Sequence, residues 1–208
     1  MSPFTILQNI QSSINYFNIV GYNRHMETSK NLIWIDMEMT GLNVERDKIL
    51  EIAIIITDSE LNILDESIDL VVHQPEEVLY GMNDWCKEHL GNNGLTDRSR
   101  NSTISLNDAR KLIFKLIRKY TEEKQGLLCG NSVYVDRMFL KKYFPKVEKY
   151  LNYRIIDVSS IKEIAKRWYG NEVKDFLEHK KIDLSHRALD DIKWSINELK
   201  FYREKIFR

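Results

Sequence analysis

An apolar run opens the most informative part of the chain. Leu32 to Ile35 are apolar and lead directly into Asp36, Met37 and Glu38. Such a run is typical of a strand buried on both faces. Side chains two positions apart on a strand share a face, so Asp36 and Glu38 are predicted to project together. Neighbouring ionised carboxylates repel, so the pair indicates a bound cation or a retained proton; an ordinary strand-end charge is the alternative.

The next apolar segments predict two more strands. Residues 50–57 are rich in β-branched side chains, which favour strands. A polar turn at 58–60 follows, and residues 61–72 alternate well enough to predict a third strand. Consecutive strands joined by short turns usually pair, so we expect a three-strand antiparallel meander at the start of the sheet.

Two helical regions are predicted after the meander. The first runs from 75 to 90 and is ended by the glycine- and asparagine-rich segment 91–94. The second runs from 105 to 123. Ser105 and Asp108 make a capping-box-like start for it, and its apolar positions repeat at the spacing of one helix face.

The second half of the chain alternates short strands with helices, which indicates a mixed α/β sheet with helices on its faces. Pro145 is expected to interrupt the first of these helices. The predicted strands are 127–129 and 155–156; the predicted helices run from Asn131 to Phe144, from 159 to 168 and from 188 to 206; 170–187 is predicted to be loop or poorly ordered helix.

The length of 208 residues predicts one folded domain, which we place at residues 31–208. Residues 1–30 differ from the rest because they contain no acidic residue before Glu27 and carry spaced apolar side chains. Such a segment resembles a mitochondrial transit peptide, although those are usually richer in Arg. A flexible N-terminal arm is the alternative interpretation.

The charge balance and the cysteine count narrow the class of function. Lys and Arg together equal Asp and Glu, at 31 each, so the net charge is zero. This argues against a broad basic face for long nucleic acid but leaves room for a pocket that grips a few phosphates. Cys86 and Cys129 make no disulfide framework, which favours a reducing compartment. No apolar run approaches the ~18–20 residues of a membrane span.

Three further residues have contexts that suggest chemistry. Asp136 lies near the start of a helix that follows a short strand, where functional groups gather. His186 and Asp191 lie at the entrance to the last helix. A five-residue separation is roughly 140° around a helix, so a cooperating His186 is expected on the loop before it. Taken singly, each has a plain alternative: a helix-start carboxylate, a polar loop residue and a solvated first turn, the last suiting Asp190 better.

The ordered set of motifs resembles the DEDDh 3′→5′ exonucleases, which have a ribonuclease H-like fold, and within them the oligoribonucleases. The order is a strand Asp-x-Glu, then Asn131-x4-Asp136, then His186-x4-Asp191. Residues 83–89 resemble the animal, mitochondrial-type branch. The resemblance covers about Asn31 to Phe207. The matching segments are Trp34–Leu42, Cys129–Val133, Tyr153–Ser159, Lys162–Glu163, Arg167–Trp168 and His186–Asp191.

The resemblance implies a metal-dependent hydrolase with a carboxylate site. Asp36, Glu38, Asp136 and Asp191 would bind two ions, and His186 would be the general base. Hard oxygen ligands suit Mg²⁺ or Mn²⁺. Two ions about 3.5–4 Å apart can stabilise the attacking and leaving oxygens of a phosphoryl displacement. Neutral imidazole, with a pKa near ~6.5, can accept the proton of the attacking water.

The resemblance also implies a substrate: very short RNA, with dinucleotides favoured, degraded to mononucleotides by a homodimer in the mitochondrion, the cytoplasm or both. Residues at four kinds of position would bind it. The plain alternatives are a core position for Leu42, Trp85 and Tyr153 and an internal ion pair for Arg154. These residues are Leu42 as a wedge between the bases, Trp85 as a stacking wall, Tyr153 reaching the partner subunit's site, and Ser132, Arg154 and Ser159 as a cap on the 5′ phosphate.

Two other functions stay open from the sequence. One is a different DEDDh exonuclease, acting on DNA or on structured RNA 3′ ends. The other is a ribonuclease H-like RNA-binding module without catalysis, whose mark would be a missing carboxylate or a missing His186. All five residues are present.

Overall fold

The computed structural model describes residues 30–64, 67–178 and 187–207. A five-stranded mixed sheet, in the order β3-β2-β1-β4-β5, carries helices on both faces. The strands are β1 (Leu32–Met39), β2 (Ile49–Thr57), β3 (Ile68–Val71), β4 (Leu127–Gly130) and β5 (Ile155–Asp157). The helices are α1 (Glu76–Tyr80), α2 (Asp84–Asn92), α3 (Leu95–Asn101), α4 (Leu106–Tyr120), α5 (Tyr134–Tyr143), α6 (Pro145–Tyr150), α7 (Val158–Tyr169), α8 (Asn171–Glu178) and α9 (Ala188–Lys205).

The predicted antiparallel meander is confirmed, with β2 pairing antiparallel to both β1 and β3. The third strand is shorter than the predicted 61–72. Leu61 has a φ of 66°, a left-handed conformation that interrupts an extended chain, and Ile63 forms only an isolated bridge to Thr57. Strands β4 and β5 extend the sheet in parallel beyond β1.

The two faces of β1 belong to two different cores. Ile33 and Ile35 pack in the core that includes the buried face of α4, whereas Trp34 packs in the core that includes α9. Burying one large apolar side chain contributes about 1.5–3 kcal/mol, so these cores fix β1 firmly at the centre of the sheet. By alternation, Asp36 and Glu38 lie on the face of Trp34, toward α9.

The helical region predicted at 75–90 is divided into two helices, and it ends within the segment 91–94, as predicted. It forms α1 and α2, and the Asn83 side chain caps α2 by accepting from the Cys86 N–H. A third helix, α3, then starts after Gly94, which has a φ of 75°. A glycine in this conformation turns the chain at little cost, so it begins a new helix as well as ending the last one.

Other predicted boundaries move by a few residues or gain an element. Ser105 caps α4 as predicted, but the helix ends at Tyr120. Pro145 ends one helix and also begins α6, because a proline at the first helical position loses no hydrogen bond. Helix α8 forms inside the segment predicted as loop or poorly ordered helix.

Several expectations concern parts of the chain that the structure does not describe. The predicted extension, residues 1–30, lies outside the described residues except for Lys30, as does the segment 179–186.

Cys86 and Cys129 are both buried free thiols. Among the helices that are described, none has the length and apolar content that a bilayer crossing requires.

Candidate active site

Three acidic side chains converge at the end of β1. Asp36 and Glu38 come from the strand, and Asp191 comes from the first turns of α9, which packs across the same face of the sheet. One carboxylate oxygen from each lies within 4.8 Å of the others. This confirms that Asp36 and Glu38 share a face, and it brings a residue more than 150 positions away to the same point.

Asp136 approaches this cluster from a separate helix. It lies in the first turn of α5 and is buried. It is outside the group of three close oxygens, yet its charge acts on Glu38. The pKa of Asp136 is raised to about 8, mainly by burial and to a smaller extent by Asp157, although hydrogen bonds from its own backbone N–H and that of Met37 act in the opposite direction. The structure therefore places the fourth predicted carboxylate beside the cluster.

Glu38 lies at the electrostatic centre of the group. Burial is the largest cause that raises its pKa to about 8, and the carboxylates of Asp191, Glu51 and Asp136 contribute to that rise, in that order. Repulsion between neighbouring carboxylates on rigid elements is relieved when one of them retains its proton or when a cation binds between them. Carboxylate oxygens are the ligands preferred by hard divalent ions, so the donor set fits such an ion.

The predicted general base, His186, lies outside the described residues, so its position relative to the cluster stays a prediction. The residue after it, Arg187, is described and directly precedes the first helical residue of α9. Asp190 is exposed and pairs with Lys193 at 3.2 Å, which confirms it as the residue of the solvated first turn.

A tight turn presents Leu42 beside the cluster. The Asp47 carboxylate accepts from the Thr40 hydroxyl at 3.3 Å and from the Asn43 N–H at 2.8 Å. A Cβ added to Gly41 would lie 2.4 Å from the Asp47 carboxylate, so the turn needs glycine there. Leu42 is 74% exposed as a result, which excludes its alternative interpretation as a core residue.

A cavity of about 390 Å³ joins this turn to α2. Trp85 lies on its wall and is 60% exposed, so it also is not a core residue. The Trp85 ring stacks on His89 at 4.1 Å between centroids. Because Glu38 lines the same cavity, an apolar and aromatic surface lies directly next to the acidic cluster. The cavity lining consists of Met37, Glu38, Met39, Gly41, Leu42, Asn83, Trp85 and Cys86.

Tyr153 and Arg154 form an exposed projection before β5. Tyr153 is 73% exposed, and the Arg154 guanidinium lies 4.5 Å from the centroid of its ring. Arg137 fixes the backbone beneath them by donating to the carbonyls of Tyr153 and Arg154, at 2.9 and 3.4 Å. The core interpretation of Tyr153 is therefore wrong, and no ion pair of Arg154 is found within the described part of the chain.

Ser132 and Ser159 meet where β4 and β5 end, with 3.1 Å between their hydroxyl oxygens. One oxygen of Asp157 accepts from the backbone N–H of both, at 3.0 and 2.9 Å. Ser132 has a φ of 53°, a left-handed conformation that is uncommon for a residue other than glycine. The hydrogen bond from its N–H to Asp157 holds the backbone in that conformation. Sequence reasoning missed Asp157, although an Asp between a short strand and a helix is a common N-cap signal.

A family model described as exonuclease matches residues 33–199. A probable oligoribonuclease of Dictyostelium discoideum is 49% identical over 182 residues, covering 88% of this chain and 93% of that one. The mitochondrial oligoribonuclease of Homo sapiens is 49% identical, covering 86% and 75%. An oligoribonuclease of Chromobacterium violaceum is 43% identical, covering 88% and 98%.

Solved structures of exonuclease I share the fold. The enzyme from Methylocaldum szegediense has a TM-score of 0.67 at 17% identity, and the Escherichia coli enzyme in complex with a dT13 oligonucleotide has 0.64 at 17%. This chain spans 41% of the length of each. The likeness supports the ribonuclease H-like architecture, while the sequence relatives fix the kind of enzyme. The chain belongs to the oligoribonuclease family of exonucleases, and it is a nuclease of the hydrolase class.

Proposed function

We propose that this chain is a 3′→5′ exoribonuclease that hydrolyses very short RNA, with dinucleotides favoured, to mononucleotides. The observation that carries the proposal is the convergence of Asp36, Glu38 and Asp191 at the end of β1, in a chain whose relatives are named oligoribonucleases. The net charge of zero agrees with a short ligand, because long nucleic acid is usually held by a broad basic face.

Asp36, Glu38, Asp136 and Asp191 would hold two divalent ions, Mg²⁺ or Mn²⁺. When bound, such ions stabilise the charge on the attacking and leaving oxygens of an in-line displacement. The chain's own contribution is to keep these carboxylates close before substrate arrives. Strand β1 fixes two of them on one face, helix α5 supplies the buried Asp136, and helix α9 supplies the partly buried Asp191.

His186 would act as the general base. A neutral imidazole, with an ordinary pKa near ~6.5, accepts the proton of the attacking water at neutral pH. The water oxygen then forms the new bond to phosphorus, and the bond to the 3′ oxygen of the upstream nucleotide breaks. The 3′-terminal nucleotide leaves with a 5′ phosphate, and the upstream oxygen takes up a proton.

The exposed apolar groups next to the carboxylates would bind the two bases. Leu42 would wedge between them, and Trp85 would stack on one of them; stacking on an aromatic side chain is worth about 1–3 kcal/mol per base. Both side chains line the cavity that also contains Glu38, which supports this assignment. A cavity of about 390 Å³ suits a small ligand.

Ser132, Arg154 and Ser159 would cap the 5′ phosphate of a dinucleotide and so exclude longer strands. The 3.1 Å contact between the two serines supports a joint role, and Arg154 lies on the exposed projection nearby in sequence. Tyr153, on the same projection, would reach the partner subunit's site in a homodimer. Its exposure in the single chain supports a role outside the core.

The single exonuclease domain would span residues 31–208, with residues 1–30 as an extension. That extension would act as a mitochondrial targeting segment or as a flexible arm. The human relative's name includes "mitochondrial", which supports the first interpretation. The enzyme would then work in the mitochondrion, the cytoplasm or both.

The function is tested with 5′-labelled RNA of two lengths in Mg²⁺ or Mn²⁺. We expect mononucleotide release from a dinucleotide, much slower release from an oligomer of about twenty nucleotides, and loss of both with Asp36→Ala. Failure to release mononucleotides, or full activity of Asp36→Ala, would refute the proposal. Rates that do not depend on length, or that are higher on DNA, would instead favour a different DEDDh exonuclease.

A further inference from the structure

A partly buried polar network lies behind the site and centres on Asn131, directly after β4. The Asn131 Nδ2 donates to Ser195 Oγ at 2.8 Å and to Glu198 Oε2 at 3.0 Å. Its Oδ1 accepts from Ser159 Oγ at 2.9 Å and from Lys162 Nζ at 3.0 Å. An amide offers two donor hydrogens and two acceptor lone pairs, so these four contacts use all of its capacity.

The charges around Asn131 decide which way its amide points. A lysine ammonium can only donate, so Lys162 requires the amide oxygen on its side. The Glu198 carboxylate oxygen acts as an acceptor, so it requires the amide nitrogen on its side. Glu198 is fully buried, with Lys162 Nζ at 3.2 Å and the Tyr202 hydroxyl at 2.7 Å. The amide therefore has one orientation that satisfies every partner.

The two arms of the network reach the two ends of the proposed substrate site. On one side, the Ser195 hydroxyl donates to the backbone carbonyl of Asp191 at 2.9 Å, one turn earlier in α9. On the other side, Ser159 contacts Ser132. Asn131 thus connects the helix that supplies a metal-binding carboxylate to the pair of serines assigned to the 5′ phosphate.

Stability alone is a weak reason for such a network. Buried ion pairs can often be replaced by apolar groups without loss of stability, whereas they can fix one arrangement among several. Here the arrangement that is fixed is the distance between the serine pair and the Asp191 end of α9. Under the proposed function, that distance would separate the group that binds the 5′ phosphate from the carboxylate that acts at the scissile bond.

We propose that Asn131, oriented by Lys162 and Glu198, is a positioning residue that holds Ser132 and Ser159 at a fixed distance from Asp191 and so sets the preference for a 5′-phosphorylated dinucleotide. This inference rests on the proposed function, because it assigns the serine pair to the 5′ phosphate. Asn131 itself does not touch the substrate in this arrangement.

The test measures binding in Ca²⁺, apart from turnover, with a 5′-phosphorylated RNA dinucleotide and the same dinucleotide with a 5′ hydroxyl. Hydrogen bonds to a charged phosphate favour the first ligand, and we expect it to bind the native protein about 10- to 100-fold more tightly. Asn131→Ala should reduce the preference for the 5′-phosphorylated ligand about tenfold or abolish it. Binding of the 5′-hydroxyl ligand should weaken far less.

Asn31→Ala is the matched control. Asn31 is a buried amide, and it donates to the Tyr120 carbonyl at 2.7 Å, on the strand end opposite the carboxylates. Its loss should lower stability and leave the ratio unchanged. If Asn131→Ala does not fold, the double variant Lys162→Met, Glu198→Gln removes both orienting charges and should lower the ratio in the same way.

A double-mutant cycle separates positioning from general damage. If Asn131 acts through Ser159, then Asn131→Ala combined with Ser159→Ala should lower the ratio no further than Ser159→Ala alone. A folded Asn131→Ala that keeps the native ratio, an additive cycle, or a native protein without a phosphate preference would overturn the inference. A native protein that binds with this preference but hydrolyses nothing in Mg²⁺ would refute the proposed function and leave the inference standing.

Discussion

Glu38 and Glu51 lie directly opposite each other in the β1–β2 ladder, so two carboxylates share one face of the sheet. Like charges in this position are destabilising. Glu51 is fully buried and accepts from Arg98 Nη2 at 2.6 Å and from Arg187 Nε at 3.2 Å. Two guanidinium groups therefore pair with Glu51, whereas Glu38 faces the acidic cluster and any cation bound there.

We expect Glu51→Gln to destabilise the protein by about 3 kcal/mol, because it leaves two arginines without their shared buried counter-charge. The comparison is Glu60→Gln, which removes an exposed pair with Arg203 and should cost ~1 kcal/mol or less. Urea unfolding of both variants measures the difference. Because Arg187 precedes α9, Glu51→Gln should also weaken stabilisation by Mn²⁺. Equal unfolding midpoints would argue against this role.

Asp191→Asn and Asp190→Asn form a matched pair on one helical turn. Loss of an ion-binding carboxylate removes several kcal/mol of transition-state stabilisation, so Asp191→Asn should lower kcat about 1000-fold. Asp190 is exposed and pairs with Lys193, so Asp190→Asn should change the rate little. Mononucleotide release from a dinucleotide provides the measurement. Similar losses in the two variants would show that the cluster had been assigned wrongly.

The stability of the metal-free protein should fall as pH rises. Burial raises the pKa of Glu38 and of Asp136 to about 8, whereas carboxyls in an unfolded chain titrate near ~4. Between these values the folded state binds more protons than the unfolded state. The contribution of these groups to the free energy of unfolding is therefore fully present at low pH, and it is lost as pH rises toward about 8.

Divalent ions compete with those protons, so the rise in Tm caused by Mn²⁺ should grow between about pH 5.5 and about pH 8. Thermal unfolding with Mn²⁺ and with chelator, at each pH, measures it. The double variant Glu38→Gln, Asp136→Asn should remove most of the pH dependence of this rise in Tm. A shift in Tm that stays constant over this range would contradict the prediction.

His186→Asn should separate proton transfer from metal binding. General-base catalysis contributes about 100- to 10000-fold, so kcat should fall by that order while the Mn²⁺-induced rise in Tm is retained. The two measurements on one variant distinguish a base from a ligand. A variant that loses both would indicate that His186 acts as a ligand of an ion instead.

Tyr153→Ala should lower kcat/KM about 10- to 100-fold, as expected for an aromatic contact made across a subunit boundary. Tyr80→Ala is the control, because Tyr80 and Tyr153 are both 73% exposed. Neither change should alter the free energy of unfolding by more than about 0.5 kcal/mol. Sedimentation accompanies the kinetics, and a fully active monomer would contradict the proposed role in the partner subunit's site.

Much of the local structure was predictable from the sequence. The apolar run before Asp36 predicted a buried central strand, and the alternation of strands predicted the antiparallel meander. Ser105 marked the start of α4. The sequence was less informative about the division of the 75–90 region, the added helix α3 and the short β3. These features depend on single backbone conformations, such as those of Gly94 and Leu61.

The sequence by itself determined the order of the acidic motifs and the elements that carry them, because strand and helix periodicities are local and set which side chains share a face. Only the tertiary structure decided that Asn131 meets Glu198 and that Glu51 meets Arg187. Those partners lie 67 and 136 positions apart. No local pattern specifies such pairs; they arise when α9 packs across the sheet and burial forces each polar group to find a partner.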